Sequence, residues 1–153
     1  MSQYQNVPRP PNKAGQIAQG VQRLLRAQNM ASLTEFVLGN GRRADVFGLG
    51  PDGATIIVEI KSGPADLRSD AKWRDYIDYC DTFYFAAAPD TDMRIFPQDA
   101  GFIMADAYGG EILRPGPLRK MNAARRRATV IAFAHQAATR LQIAAGLHTD
   151  HPF

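Results

Sequence analysis

Two strand-forming segments joined by a short turn constrain the fold of this chain more than any other feature. The segments are Arg43–Leu49 and Thr55–Lys61, and both carry the β-branched or aromatic side chains that are typical of strands. Gly50–Gly53 lies between them and has the composition of a hairpin loop. A turn centred on Asp52 pairs residues that lie equally far from it, so the turn position sets the register of the two strands.

This register brings charged residues of the two strands together. Asp45 is expected to lie opposite Glu59, and Arg43 opposite Lys61. Because side chains alternate between the two faces of a strand, Glu59 and Lys61 share one face. The other face of this strand points toward the core and carries Ile56, Val58 and Ile60.

Asp45, Glu59 and Lys61 are therefore the candidate catalytic residues. Opposed residues on paired strands have Cβ atoms only about 4.5–5.5 Å apart, and two carboxylates at that separation repel each other. A divalent cation neutralises such a pair, and Mg²⁺ is usually held by one or two carboxylates together with water and phosphate oxygens. The cation can activate a water, while Lys61 can hold that water or the developing negative charge. The pattern indicates metal-dependent hydrolysis of a phosphodiester bond.

The alternative is a solvated sheet face on which Lys61 and Arg43 neutralise the two acids as surface ion pairs. Glu59 and Lys61 interrupt a run of isoleucine and valine that is typical of a central strand. Charges in such a strand are costly and need a reason, which favours a functional role.

The rest of the chain shows helical and strand patterns that complete an α/β fold. The predicted elements are, in chain order, a helix over Gly15–Gln28, strands over Ser32–Leu38, Arg43–Leu49 and Thr55–Lys61, a helix over Ala65–Tyr79, strands over Thr82–Ala87, Gly101–Asp106 and Glu111–Leu113, and a helix over Asn122–Ala145. The core-facing ladder of the last helix would be Val130, Phe133, Ala134, Ala137, Leu141 and Ala144. Three strands joined by short turns predict an antiparallel meander, and the helical crossover permits a parallel fourth strand. We expect a mixed sheet flanked by helices.

Length and composition are those of one globular domain, with 153 residues, 45% of them hydrophobic and 22% charged. We expect a flexible tail over residues 1–12, one domain over 13–146 and a flexible tail over 147–153. Cys80 is the only cysteine, which excludes an intrachain disulfide and a cysteine-based zinc site. The sequence has neither a long apolar run nor the apolar segment of a secretory signal, so a cytoplasmic location without membrane partners follows by elimination.

At the candidate catalytic residues the sequence resembles the PD-(D/E)xK nuclease superfamily. Its motif matches Asp45, the hairpin and then Glu59-Ile60-Lys61. In that superfamily the aspartate and the glutamate bind the metal ion, and the lysine assists the attacking water. The predicted order of elements also matches its restriction-endonuclease-like αβββαβ core. The resemblance implies DNA as the substrate and Mg²⁺ or Mn²⁺ as the cofactor.

A longer resemblance covers most of the chain, from about Gly15 to Leu141. The segments GRRADVF, VEIKSGPADLRSDAKWRDYIDYCDTFYF, ADAYGGEILR and AARRRA are similar to the MmcB family of bacterial DNA repair proteins. This resemblance implies a role in DNA repair, a nuclease-like fold and association with the nucleoid.

The first helix departs from the superfamily pattern. Many superfamily members carry a metal-binding glutamate there, whereas this helix has no acid. Its glutamines are Gln16, Gln19, Gln22 and Gln28. We expect Gln16, or Glu35 on the following strand, to complete the metal site with Asp45 and Glu59. A glutamine brings no charge, so the affinity for metal would be weaker. Ala44 replaces the proline of the motif.

Basic residues near the site are the candidates for DNA binding, and the net charge of +3 is compatible with that partner. Arg42 and Arg43 precede the catalytic aspartate, and Lys72 lies on the predicted second helix. A basic cluster at the start of the last helix contains Arg125, Arg126 and Arg127. Positive charge at a helix N-terminus opposes the macrodipole, which favours an external partner such as the DNA backbone. The alternative for each residue is a solvated surface.

The sequence thus predicts a metal-dependent DNA endonuclease that acts in repair. A second hypothesis is a DNA-binding accessory protein on the same fold without turnover, which the missing acid in the first helix favours. A third is a protein-interaction module whose basic clusters serve only solubility. A homodimer and other repair proteins stay open as partners besides DNA.

Overall fold

The computed structural model describes residues 11–63, 66 and 72–147. The α-helices and strands with both ends in this part of the chain are α1 (Lys13–Ala27), β1 (Ala31–Val37), β2 (Arg43–Leu49), β3 (Thr55–Ile60), β4 (Thr82–Ala87), β5 (Gly101–Asp106), β6 (Gly109–Arg114) and α2 (Ala123–Ala144). Short 3-10 helices span Trp73–Tyr79 and Met93–Ile95. None of the helices described here is long and apolar enough to cross a membrane.

The strands form one six-stranded mixed sheet in chain order, with β1 and β6 at its edges. The β1–β2 and β2–β3 pairs are antiparallel, the β3–β4 and β4–β5 pairs are parallel, and β5–β6 is antiparallel. The α/β class, the meander and the parallel fourth strand are thereby confirmed. The last strand is longer than predicted, because it continues on both sides of Glu111–Leu113.

The β2–β3 hairpin has the register expected from its turn. Val46 pairs with Val58 and Leu49 with Thr55, in antiparallel order. The backbone ladder ends at the Val46–Val58 pair, although β3 stays paired with β4 as far as Ile60. The two strands of the hairpin therefore separate two residues before the end of β3.

Helix α1 covers one face of the sheet. It begins after Asn12, whose side-chain oxygen accepts a hydrogen bond from the Gly15 N–H at 2.9 Å and caps the helix. Ile17, Val21 and Leu25 are buried and lie four residues apart, which puts them on one helical stripe. This stripe packs against apolar side chains of β2, β3, β4 and β5.

An aromatic core fills the opposite face of the sheet. The rings of Phe36, Phe47 and Phe133 have centroids between 4.5 and 5.9 Å apart, and they attach α2 to β1 and β2. Trp73 packs edge-on against Phe85 at 5.4 Å and attaches the 3-10 helix to β4. Both faces of the sheet are therefore covered.

The α-helix predicted over Ala65–Tyr79 was wrong in its last turns, because Trp73–Tyr79 is a 3-10 helix. Trp73 and Tyr76 are buried three residues apart, which is the repeat of a 3-10 helix. Of the rest of the predicted helix, only residues 66 and 72 belong to the described residues. Of the predicted flexible tails, only residues 11, 12 and 147 do.

The core-facing ladder predicted for the last helix was wrong at Ala134, Leu141 and Ala144, which are exposed. Phe133 is buried as expected, but Ala134 is exposed and Leu141 is 72% exposed. Packing of α2 on the aromatic core therefore ends near Ala137, which is partly buried against that core.

Polar side chains of the second half of α2 bind the open edge of β1 instead. Gln136 accepts a hydrogen bond from the Val37 N–H at 3.4 Å and donates one to the Val37 carbonyl at 3.1 Å. Arg140 donates to the Thr34 carbonyl at 2.6 Å. An edge strand presents unpaired backbone groups, which require polar partners or water, and this explains why polar residues occupy these positions.

Candidate functional site

The candidate site lies where β2 and β3 separate, and two carboxylates hold the strands together there. The Ile60 N–H donates to Asp45 Oδ2 at 2.8 Å, and the Asp45 N–H donates to Glu59 Oε1 at 3.1 Å. This reciprocal arrangement fixes Asp45 and Glu59 side by side, as the register predicted. One oxygen of each carboxylate therefore accepts a hydrogen bond from a backbone amide of the other strand.

The environment of this pair disfavours its ionisation. Glu59 is only 6% exposed. Burial first, and repulsion from Asp45 second, raise the pKa of Glu59 well above its ordinary value. Burial also raises the pKa of Asp45, although the hydrogen bond from Ile60 opposes this effect. Two such carboxylates are stabilised by a proton or a cation, and they do not form the solvated sheet face that was the alternative from sequence.

Lys61 is buried beside the two acids, with 8% of its surface exposed. Its backbone N–H donates to the Ala86 carbonyl at 2.9 Å, which extends the pairing with β4 beyond the end of β3. Its positive charge lowers the pKa of both carboxylates and so partly offsets their repulsion. A buried ammonium group next to two acids can donate hydrogen bonds to an anionic ligand.

Glu35 contributes a third acid at the same level of the sheet. The register of β1 and β2 places it opposite Asp45, at a break in their ladder. Glu35 has a φ of 52°, which a residue other than glycine rarely adopts, and such strained positions cluster at functional sites. Its charge raises the pKa of Asp45 further.

These side chains open into a cleft of about 720 Å³ between α1 and the sheet. Asp45, Glu59 and Lys61 line the cleft on the sheet side, and Gln19 and Gln22 line it on the α1 side. The volume lies within the range of ligand sites, so the cleft has room for a phosphodiester group.

The position predicted for the α1 ligand is displaced by one turn. Gln16 does not line the cleft, because it is exposed and its amide donates to the Pro11 carbonyl at 3.3 Å. Gln19, one turn further along α1, does line it. Gln19, like Gln22 on the next turn, can therefore reach a ligand in this cleft.

The donor set fits a metal ion that keeps several waters. Within the described part of the chain, no three histidine, cysteine, aspartate or glutamate side chains are grouped so that they could hold a metal ion. Asp45 and Glu59 nevertheless offer two carboxylates, which is the usual protein contribution to a Mg²⁺ site completed by water and phosphate. The residues thus fit Mg²⁺ or Mn²⁺ in an open site, and not a closed structural site.

Comparison with known proteins assigns the family. The model of a family described as DNA repair protein MmcB-like matches residues 3–147. The chain belongs to the MmcB-like family. This membership confirms the longer resemblance found in the sequence.

A solved structure shares the fold of this MmcB-like chain. The SPO1766 protein of unknown function from Silicibacter pomeroyi is similar to it with a TM-score of 0.89 and 38% sequence identity. The similarity covers 95% of this chain and 99% of that chain. No curated protein matches the chain.

Two of the predicted DNA-binding residues of the MmcB-like chain lie in exposed ion pairs. Arg42 pairs with Asp75 at 2.8 Å, and Arg43 pairs with Glu35 at 3.0 Å. Exposed ion pairs contribute little stability, so a phosphate can compete for either guanidinium. Arg43 is the nearer candidate, because its partner Glu35 lies opposite Asp45.

Arg126 has a different environment, since it joins α2 to the sheet. It donates to Asp81 Oδ2 at 2.7 Å and to the Gly53 carbonyl at 2.8 Å. Asp81 is only 5% exposed and also accepts hydrogen bonds from the backbone N–H groups of Thr55 and Met121. This network accounts for Arg126 without DNA.

The other predicted basic residues are exposed. The guanidinium of Arg125 lies over the ring of Tyr79, 4.6 Å from its centroid. Arg127 and Lys72 are also exposed.

The structure adds a cleft residue that the sequence reasoning missed. Asp66 lines the cleft, and its carboxylate accepts a hydrogen bond from the Ser62 N–H at 3.4 Å. Its place shortly after the ExK motif was the available signal, but nothing in the spacing showed that it would turn toward the acids.

Proposed function

We propose that this MmcB-like chain hydrolyses DNA phosphodiester bonds with the help of Mg²⁺ or Mn²⁺. The family description makes it a DNA repair protein, and the proposal adds the reaction. The observation that carries the proposal is the buried pair of Asp45 and Glu59, held beside Lys61 at the wall of an open cleft. This arrangement resembles the catalytic motif of the PD-(D/E)xK nucleases.

The chain's own groups have distinct roles in this reaction. Asp45 and Glu59 would hold the cation, and a cation there supplies a Lewis acid for the phosphate and lowers the pKa of a water. The N–H groups of Asp45 and Ile60 fix the two carboxylates, so these need little reorganisation when substrate binds. Lys61 donates hydrogen bonds from Nζ to the attacking water or to the phosphate oxygen on which negative charge develops.

Two further side chains are proposed to act beside the pair of carboxylates, although the described residues contain no group of three such ligands for a metal ion. Glu35 faces Asp45 from β1, and Gln19 faces the acids across the cleft from α1. Gln19 takes the place that the sequence suggested for Gln16.

The test is cleavage of a panel of labelled DNA substrates with Mg²⁺ or Mn²⁺. The panel contains single strands, duplexes, nicks, flaps and junctions. We expect Glu59→Gln and Lys61→Ala to reduce the cleavage rate by at least about 100-fold, because each removes a group that acts on the transition state. Lys120→Ala is the matched control, since Lys120 is an exposed lysine that lines a separate cavity. Cleavage by Lys61→Ala and Glu59→Gln at the parent's rate would refute the assignment.

A non-catalytic DNA-binding accessory protein is the second candidate. The lack of an acid on α1 and of a three-ligand group among the described residues favours it. Calorimetric titration with Mg²⁺ discriminates the two, because a pure binder has no need for the cation. Association with the nucleoid is expected in either case, since both candidates bind DNA.

A further inference from the structure

A second open cavity continues from the acidic cleft along α1. It has a volume of about 750 Å³, and Gln19 and Gln22 line both cavities. Further along its wall are Arg23 and Arg26. At a rise of 1.5 Å per residue, these arginines lie about 6 and 10 Å along the helix axis from Gln19. We call this cavity, from Gln19 to Arg26, the α1 groove.

The α1 groove is positively charged. Helix α1 contains no acidic residue, and both Arg23 and Arg26 are exposed. Neither forms an ion pair with any residue in the described part of the chain. Positive side chains that are not occupied by acids are suited to the phosphates of a nucleic acid.

Tyr108 lines the same groove from the turn between β5 and β6. It is 90% exposed, so its ring contributes almost nothing to the core. The turn itself is ordered, because Asp106 Oδ1 accepts hydrogen bonds from the N–H groups of Tyr108 and Gly109 at 2.8 and 3.2 Å. The fold therefore presents a large aromatic ring to solvent from a fixed support.

Gly20 fixes this turn against α1. A Cβ at Gly20 would collide with the backbone carbonyl oxygens of Asp106 and Gly109, so only glycine allows the helix to approach so closely. The close approach keeps Tyr108 and the two arginines on the lining of one groove.

We propose that the α1 groove binds single-stranded DNA, with phosphates at Arg23 and Arg26 and an unpaired base stacked on Tyr108. The inference rests on the proposed function, because the groove leads the strand to Asp45 and Glu59. Basic grooves with aromatic platforms are the usual means of binding single strands, and a base offers its face for stacking only when it is unpaired. The substrate class is therefore DNA with a single-stranded segment.

Fluorescence anisotropy with a labelled thymidine oligomer and a labelled duplex, both in EDTA, tests this assignment without cleavage. We expect the parent to prefer the single strand. Tyr108→Ala should weaken its binding about tenfold, the effect of losing one stacked base, while Tyr108→Phe keeps the ring and should bind like the parent. Arg23→Ala and Arg26→Ala should each reduce the slope of log K against log salt by about 0.7. Arg94→Ala removes an exposed arginine outside the groove and should change nothing.

The outcomes separate this inference from the proposed hydrolysis. Equal binding of single strand and duplex by the parent, or unchanged binding by Tyr108→Ala and both arginine variants, would overturn the groove even if the chain cuts DNA. Weakened single-strand binding by these variants supports the groove even if no metal produces cleavage, in which case only the hydrolysis proposal fails. A Tyr108→Phe variant as weak as Tyr108→Ala also overturns the stacking role.

Discussion

Replacing Glu59 by glutamine is expected to stabilise the metal-free fold while it abolishes cleavage. Glutamine keeps the carbonyl oxygen that accepts the hydrogen bond from the Asp45 N–H, so the strand junction stays intact. It also removes one of two charges that the fold buries together. If glutamine stabilises the fold at this position, Glu59 destabilises it, which indicates that Glu59 serves a function.

Burial and repulsion both contribute to the size of the effect, and the part due to repulsion follows from the separation of the two acids. Two ionised carboxylates about 5 Å apart repel by about 3 kcal/mol at an effective dielectric constant of about 20. That repulsion corresponds to about two pKa units. Glu59→Gln should therefore raise the free energy of unfolding by about 1 to 3 kcal/mol under alkaline conditions in EDTA.

The gain must depend on pH in a defined direction. Burial and repulsion from Asp45 raise the pKa of Glu59 above its ordinary value of 4.5, so above that pH the folded chain binds more protons than the unfolded chain. The parent therefore loses stability as pH rises from about 4.5 to about 9, the raised pKa of Glu59, by at most about 1.4 kcal/mol per pH unit for one proton. Glu59→Gln lacks this proton, and its advantage should shrink toward pH 5.

Urea unfolding, monitored by tryptophan fluorescence, measures the free energy of unfolding of the parent and of Glu59→Gln at each pH. Trp73 is the only tryptophan, and it is buried in the aromatic core, so its emission reports global unfolding. Equal free energies of unfolding for the parent and Glu59→Gln at every pH between 5 and 8 would refute the claim that the two acids repel each other in the fold. Added Mg²⁺ should stabilise the parent more than the variant, since only the parent keeps both carboxylates.

Two further substitutions test how α2 and the β5–β6 turn are attached to the rest of the fold. Asp81→Asn should cost about 3 kcal/mol, because it breaks a largely buried pair with Arg126. Burial raises the pKa of Asp81, but the hydrogen bonds from Arg126 and the backbone amides outweigh burial and hold this pKa below its ordinary 3.8. The parent should therefore lose the stability that the pair provides as pH falls below about 4. Unfolding curves of Asp81→Asn, measured over the same pH range, should lack that loss. Gly20→Ala should lower the free energy of unfolding by about 1 to 3 kcal/mol, because the new methyl group displaces the turn that carries Tyr108. The same displacement should weaken single-strand binding. An unchanged midpoint of thermal unfolding would contradict the predicted loss of stability.

The hairpin shows how far local sequence information reaches. The turn at Asp52 and the alternation of β3 were sufficient to predict that Asp45 lies opposite Glu59, because a short turn leaves two strands only one register that buries their apolar faces. The same information could not reveal that the backbone ladder ends at this level. That break arises because the two carboxylates take over the hydrogen bonds of the strands.

Helix positions were harder to predict, since periodicity defines a stripe but not what covers it. The stripe of α1 was clear, yet Gln19 and not Gln16 lines the cleft, because the contact of Gly20 with the β5–β6 turn determines how the helix is placed. On α2 the apolar Leu141 is exposed, while Arg140 binds the edge of β1. Which side of a helix meets the sheet depends on partners about a hundred residues away in sequence.

The sequence by itself determined the strand pattern, the hairpin register and the residue types of the site, because these depend on neighbours along the chain. Only the tertiary structure decided which residues of each helix meet the sheet, that Glu59 and Lys61 are buried, and that the α1 groove joins the acidic cleft. Burial and electrostatic environment depend on the packing of distant segments, and the chemistry of the two carboxylates depends on that packing.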